Sequence, residues 1–265
     1  MRFQDRVELT IENGVAHVLF DRPDKMNALD PDMFAGILEA GLHLFEEPAA
    51  RCVVLSGAGR AFCAGLDMAS MAQTGRHRET PLTERTHGNA NAAQQAAVVW
   101  RKLPVPVIAA IHGVCFGGGL QIAGGADVKI VAPEARLAVM EIKWGLVPDM
   151  GGYWLWRGTV REDVLRELTY THREFTGEQA VAYGFATHAD ANPLARAMAL
   201  AQEIAGKSPH AVRGAKALLG RWWEETNDQL LMAESREQMK LMGTANQREA
   251  VMAGLEKRKA AFADP

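Results

Sequence analysis

The stretch PVIAAIHGVCFGGGLQIAGGADVKIVA constrains this chain more than any other. Two apolar runs of strand length, 106–111 and 127–132, flank a segment in which six of the chain's 25 glycines fall between positions 113 and 127. Short apolar runs bounded by glycine read as buried parallel strands, and LQIAGGA between them supplies a short crossover helix. The pattern predicts an α/β fold with bare backbone at the carboxyl end of a strand. Three uses of that backbone stay open: cradling a phosphate, letting a helix approach a sheet closely, or facing an oxygen that becomes negative during a reaction.

The neighbouring sequence extends the alternation. VELTIE and GVAHVLF around Asn13-Gly14 predict a β-hairpin with a two-residue turn. Asp30 and Pro31 give an N-cap and a first helical position, and Met33, Ile37, Leu38, Leu42 and Phe45 recur at helical spacing, so a helix is expected to about Glu47. CVVLSG (52–57) is another buried strand, and RLAVM follows DVKIVA in the same manner. The polar stretch from Gln73 to Asn91 predicts a mobile, poorly ordered connection before a helix ending near Lys102. From Asn192 onward, Ala-, Leu-, Glu-, Lys- and Arg-rich sequence with a Ser208-Pro209 cap signal predicts helices only. The chain therefore divides into a core domain over 1–191 and a helical region over 192–265, in which Trp222, Trp223, Met232, Met239 and Met242 read as helix-packing or subunit contacts.

Several function classes drop out. With 265 residues, 48% of them hydrophobic, a large core is available, and a net charge of −3 offers no broad field for nucleic acid or an anionic membrane. Any anionic ligand must be held by local groups. Cys52, Cys63 and Cys115 are odd in number and lack CxxC spacing, so reduced core thiols are expected rather than disulfides or a zinc knuckle. MRFQDRVELT lacks the apolar core of a signal peptide, no run reaches membrane length, and FADP is not a peroxisomal ending, which predicts a cytoplasmic protein. The P-loop, dinucleotide, nucleophile-elbow and HExxH patterns are all missing. His112 reads as a turn histidine satisfied by backbone or as a catalytic group. The loop GRAFCAGLD (59–67), following the strand 52–57, offers a second glycine-bearing turn able to converge with the run at 117–119.

Taken together, RPDKMNAL (22–29), GRAFCAGLDM (59–68), the run 106–127, MEIKWGLVPDMGG (140–152) and LEKRKAAF (255–262) resemble, in order and spacing, the crotonase (enoyl-CoA hydratase/isomerase) superfamily over essentially the whole chain. The resemblance implies a crotonase-like spiral of ββα turns with a helical C-terminal trimerisation region, assembled as a homotrimer or a dimer of trimers. It implies an acyl-CoA thioester as substrate, with coenzyme A as part of that substrate, and no resident cofactor or metal. Residue by residue, it assigns the backbone N–H groups of Leu66 and Gly118 to the thioester oxygen. Coenzyme A contacts fall near Lys25 and Met26 and on Ala64, Leu66, Asp67 and Met68, mostly through backbone. A basic contact falls on Lys257, which within KRK reads equally as a solvated charge; Gly254 stands where the family usually has an aromatic residue.

The acids bear on the reaction. Family hydratases hold a water between two glutamates, and those positions are here Gln121 and Glu141, with Met140 replacing a frequent proline. An amide cannot exchange a proton at neutral pH. Glu141, after an apolar strand and beside Trp144, is expected to be desolvated and raised in pKa, or else to be an ordinary strand-end carboxylate. Asp149 resembles an acid of dienoyl-CoA isomerases, although those enzymes also carry an aspartate where this chain has Gln121; it reads equally as the N-cap of a helix over 150–156. One carboxylate suffices to shuttle a proton along an allylic system. The leading expectation is thus a double-bond shift in which Glu141 is the base, Glu141 or Asp149 returns the proton, and Gln121 orients the substrate or Glu141. A hydratase using Glu141 and Asp149 is the main alternative. Thioester hydrolysis, dehalogenation, decarboxylation and a non-catalytic RNA-binding role stand behind it, the last disfavoured by the charge balance.

Overall fold

The computed structural model describes residues 1–69 and 80–265. Its central sheet has seven strands in the order β1-β2-β3-β4-β5-β7-β10, comprising β1 (Arg2–Phe3), β2 (Val7–Glu12), β3 (Val15–Phe20), β4 (Cys52–Gly57), β5 (Val107–Ile111), β7 (Val128–Val131) and β10 (His188–Ala189). The first three pair antiparallel and the rest parallel. A second sheet joins β6 (Val114–Phe116), β8 (Arg136–Ala138) and β9 (Phe175–Thr176). The α/β reading is borne out.

Local chemistry accounts for the first elements. Asn13 and Gly14 both adopt positive φ, 52° and 82°, and set Glu12 opposite Val15, the turn geometry that matches strand twist. Helix α1 (Pro31–Phe45) begins where Asp30 accepts the Met33 N–H at 2.8 Å. Its buried stripe runs through Met33, Ile37, Ala40 and Leu44. Leu42 and Phe45, expected on the apolar face, lie off that stripe and are exposed.

Helices cover both faces of the sheet. On one face α1, α2 (Ala92–Lys102) and α3 (Gly118–Gly124) bury Ile37, Trp100 and Leu120 against Val53, Leu55 and Ile111. On the other, Ala197, Ala201 and Ala205 of α7 (Pro193–Ala205) lie on Val15, Val54, Ile108 and Ile130. Alanines four residues apart form one helix face, and their small size lets the helix sit close to the strands. Between these lie α4 (Gly152–Leu155), α5 (Glu162–Thr171) and α6 (Gly177–Tyr183); α8 (Pro209–Arg221), α9 (Asn227–Leu241) and α10 (Ala245–Glu256) complete the tail.

The three cysteines are buried free thiols, and burial pushes Cys52 and Cys63 up to about 12. One edge of Trp223 lies against the bare backbone of Gly158, and Trp222, Trp223, Met232, Met239 and Met242 are all exposed in the single chain. Of the stretch expected to be poorly ordered, 73–79 lies outside the described residues. The remainder carries mutual backbone bonds between His87 and Ala90, then a capping box at Asn91. Among the described residues no helix is long and apolar enough to cross a membrane.

Candidate active site

Two loops meet at the carboxyl end of the parallel strands. Segment 61–63 pairs with 112–116 through Phe62 N–H to His112 O (3.0 Å), Cys63 N–H to Val114 O (3.1 Å) and Phe116 N–H to Cys63 O (3.0 Å). This brings the turn after β4 level with the glycine run. A Cβ at Gly119 would stand 2.6 Å from Cys63 O, so helix α3 can start there only without a side chain. Gly65, at φ 87°, sits so close that its Cβ would lie 2.7 Å from Phe116 O and 3.7 Å from Gly118 N. Leu29 N–H donates to Gly65 O at 2.8 Å and Asp67 N–H to Leu29 O at 3.1 Å, leaving the Leu66 N–H outside that ladder. Among the described residues neither Leu66 N–H nor Gly118 N–H finds a backbone acceptor. Two unengaged donors on adjoining backbones can stabilise an oxygen that gains charge.

The residues expected at coenzyme A lie along one rim. Lys25 ends an exposed 3-10 turn, and Met26 accepts the Ala64 N–H at 2.9 Å. The Asp67 carboxylate does not stand open: Arg22 donates to its Oδ2 at 2.8 Å, and the Ala69 N–H to its Oδ1 at 3.1 Å. Met68 is half-buried beside it. Lys257 follows α10 as an exposed residue at φ 54°, and among the described residues no contact joins it to this rim. His112 Nε2 faces Gly59 O at 2.9 Å, the backbone-satisfied arrangement of a turn histidine.

Asn27 was not singled out from sequence, yet it organises the rim. Fully buried at φ 54°, it accepts the Arg22 N–H and donates to Ala58 O and Ala61 O at 2.9 and 2.8 Å, tying the turn at 22–29 to the loop after β4. The available signal was an asparagine, tolerant of left-handed backbone, directly before an apolar pair.

Gln121 and Glu141 come together. Gln121, 1% exposed on α3, accepts the N–H groups of Met150 and Gly152 at 2.9 Å each, and its Nε2 donates to Glu141 Oε1 at 2.6 Å. Both main-chain partners are donors, so the amide oxygen must face them and the NH₂ must face Glu141. Glu141 Oε2 is buried with no hydrogen-bond partner among the described residues. Burial raises the Glu141 pKa, the Gln121 hydrogen bond partly offsets this, and the charge of Asp149 adds to the upward push. Trp144 is half exposed, and Glu141 Oε1 lies under Gly117, 3.4 Å from where a Cβ would stand.

Asp149 is not the helix cap. Helix α4 starts at Gly152 with Gly151 as N-cap at φ 92°, and the nearby N–H groups are taken by Gln121 from another element. Asp149 is exposed and close enough to act electrostatically on Glu141. Tyr153, one turn further on, has its pKa raised by burial and then by the Glu141 charge.

Residues 10–265 match the family model described as enoyl-CoA hydratase/isomerase. The chain is 32% identical to the peroxisomal Δ(3,5)-Δ(2,4)-dienoyl-CoA isomerase of Arabidopsis thaliana over 95% of its length and 94% of the relative's. It is 31% identical to the 1,2-epoxyphenylacetyl-CoA isomerase of Escherichia coli over 95% and 96%. Among solved structures, an enoyl-CoA hydratase from Bacillus anthracis superposes with a TM-score of 0.88 at 26% identity, covering 97% of this chain and 98% of that one.

Proposed function

Because the chain belongs to the enoyl-CoA hydratase/isomerase family and is an enzyme of that family, we propose that it shifts a double bond within an unsaturated acyl-CoA thioester by proton transfer. The observation that carries this reading is the hydrogen-bond pattern of Gln121. With its oxygen committed to two main-chain donors and its amide to Glu141 Oε1, Gln121 supplies no exchangeable proton and leaves Glu141 Oε2 as the free basic atom.

Glu141 removes a proton from C2 of the acyl group, and the electron pair moves into the thioester carbonyl. Its oxygen is held as an enolate by the N–H groups of Leu66 and Gly118. The extended enolate then takes a proton at C4 in a 3-enoyl substrate, or at C6 in a 3,5-dienoyl one, from Glu141 or Asp149. The name of the Arabidopsis relative, a dienoyl-CoA isomerase, favours such a shift. Coenzyme A enters as the substrate's carrier along the rim of Lys25, Met26, Ala64, Leu66, Asp67 and Met68. The held thioester is itself the electron sink, so the reaction needs no resident cofactor. The exposed apolar side chains of α9 and α10 suit a homotrimer or dimer of trimers, which molecular mass in solution tests.

The reaction is tested by mass spectrometry of products formed from 3-enoyl-, 3,5-dienoyl- and 2-enoyl-CoA in heavy-oxygen water. Conversion of the first two to 2-enoyl and 2,4-dienoyl products without label is expected. Rapid labelling of 2-enoyl-CoA would make the protein a hydratase, with Asp149 as the second acid.

A further inference from the structure

At the opposite end of the parallel strands from the glycine run, α7 and α8 stand off from the starts of β5 and β7 and enclose a cavity of about 260 Å³. Pro106, Ile204, Val212, Ala215 and Leu219 form aliphatic walls. Arg101, Lys216 and Asp127 supply the charges, with Lys207 at the rim, exposed and 3.5 Å from Glu203 one helical turn away.

That carboxylate is already committed. Asp127 Oδ2 accepts from Lys216 Nζ at 2.7 Å and from the Val107 N–H at 2.8 Å. Lys216 spends its remaining donors on Val105 O at 2.7 Å and Trp100 O at 3.3 Å. Arg101 is left short of partners. Its closest approach to Asp127 is 3.9 Å, its NH2 reaches Gly124 O at 3.4 Å, and its Nε is buried with no acceptor among the described residues. Lys129, buried close behind, adds a further cation; burial lowers its pKa to about 8, with the Arg101 charge contributing. An excess of buried positive charge without enough acceptors is costly. An anion entering the cavity relieves it.

We propose that this cavity binds a short aliphatic carboxylate, its charge against Arg101 and its chain along Ile204, Val212, Ala215 and Leu219. The volume lies just below the range of pockets that hold drug-sized ligands, which fits an acid of roughly four to eight carbons and excludes a coenzyme A nucleotide. The site is separate from Glu141, and its existence does not depend on the reaction proposed above.

The test uses the purified full-length protein in its native assembly, with hexanoate as probe in titration calorimetry and thermal shift. Saturable hexanoate binding that persists with coenzyme A at saturation is expected, with neither hexanol nor hexylammonium binding. Arg101→Gln should weaken it about tenfold or more, and Leu219→Trp, which puts bulk at the half-exposed mouth, should abolish it while leaving turnover unchanged. Failure of hexanoate to bind, binding lost on adding coenzyme A, or binding insensitive to both substitutions would overturn the proposal. Inorganic phosphate binding as tightly as hexanoate would overturn the assignment to an aliphatic acid.

Discussion

Gln121→Glu exchanges an amide for an acid beside the proposed base with almost no change of shape. The variant keeps the oxygen that accepts from Met150 and Gly152 at 2.9 Å each, so the turn before α4 stays capped. It replaces the donor 2.6 Å from Glu141 Oε1 by a second carboxyl oxygen. Two full charges at that distance repel by about 6 kcal/mol at an effective dielectric constant of roughly 20, which separates their ionisations by roughly four to five pH units. Water on the open side of Glu141 trims this to roughly two to three. With one proton, the pair reproduces the native arrangement, the new acid donating to ionised Glu141; with none, it is a repelling dianion. The assay is kcat/KM against pH with 3-enoyl-CoA. Wild type should show one limb, rising as Glu141 ionises. The variant should add a falling limb at higher pH, with a plateau within about tenfold of wild type. A profile superimposable on wild type, or a folded variant inactive at every pH, would refute the role of Gln121 as a neutral donor.

Glu141→Gln should lower kcat by about 10²- to 10⁴-fold while product coenzyme A still binds. Burial raises the Glu141 pKa, so its contribution to stability is present when protonated and lost as pH rises through the folded value. The same variant should therefore gain Tm relative to wild type at pH 8 and not at pH 4, and a pH-independent difference would contradict this. Gly65→Ala places a Cβ 2.7 Å from Phe116 O at φ 87° and displaces the Leu66 N–H; kcat should fall about 10²- to 10³-fold with circular dichroism unchanged, and full activity would argue against Leu66 as an oxyanion donor. Lys216→Met strips Asp127, Val105 O and Trp100 O of a shared donor and should cost about 3–5 kcal/mol in urea unfolding; a loss under 1 kcal/mol would show the ion pair to be dispensable.

Where a feature depended on neighbours in sequence, the sequence showed it. Asn13-Gly14 specifies its turn and Asp30-Pro31 its helix start because turn and cap preferences act within a few residues. The glycine run announced a close approach, and the structure supplies the partner, Cys63 O beneath Gly119. Features set across the fold were hidden. Asp149 had the right position for a cap, but the N–H groups near it are claimed by Gln121, 29 residues earlier in the chain than Met150. Glu141 is partly buried with its Oε1 beneath Gly117, a neighbour from another element that sequence spacing does not reveal. Leu42 and Phe45 matched the helical period yet fall beside the packed stripe, where a shift of one position turns a side chain from core to surface. Arg101, Asp127 and Lys216 carried no local signal, being drawn together by α2, the start of β7 and α8.

The hydrogen bonds of Gln121 also limit what evolution can place there. The side chain must present one oxygen to two main-chain donors and a hydrogen to Glu141 at the reach of two methylenes. Glutamine does this, and so does protonated glutamic acid, whereas apolar residues leave two buried donors unmet. Codons for glutamine and glutamate differ by a single base. A lineage of this fold can therefore pass between an amide and an acid beside the base in one mutational step, with every hydrogen bond of the turn intact throughout. Descent and architecture would then be shared by enzymes of different reaction type, and the residue at this single position would say more about the chemistry than the similarity of the remaining chain.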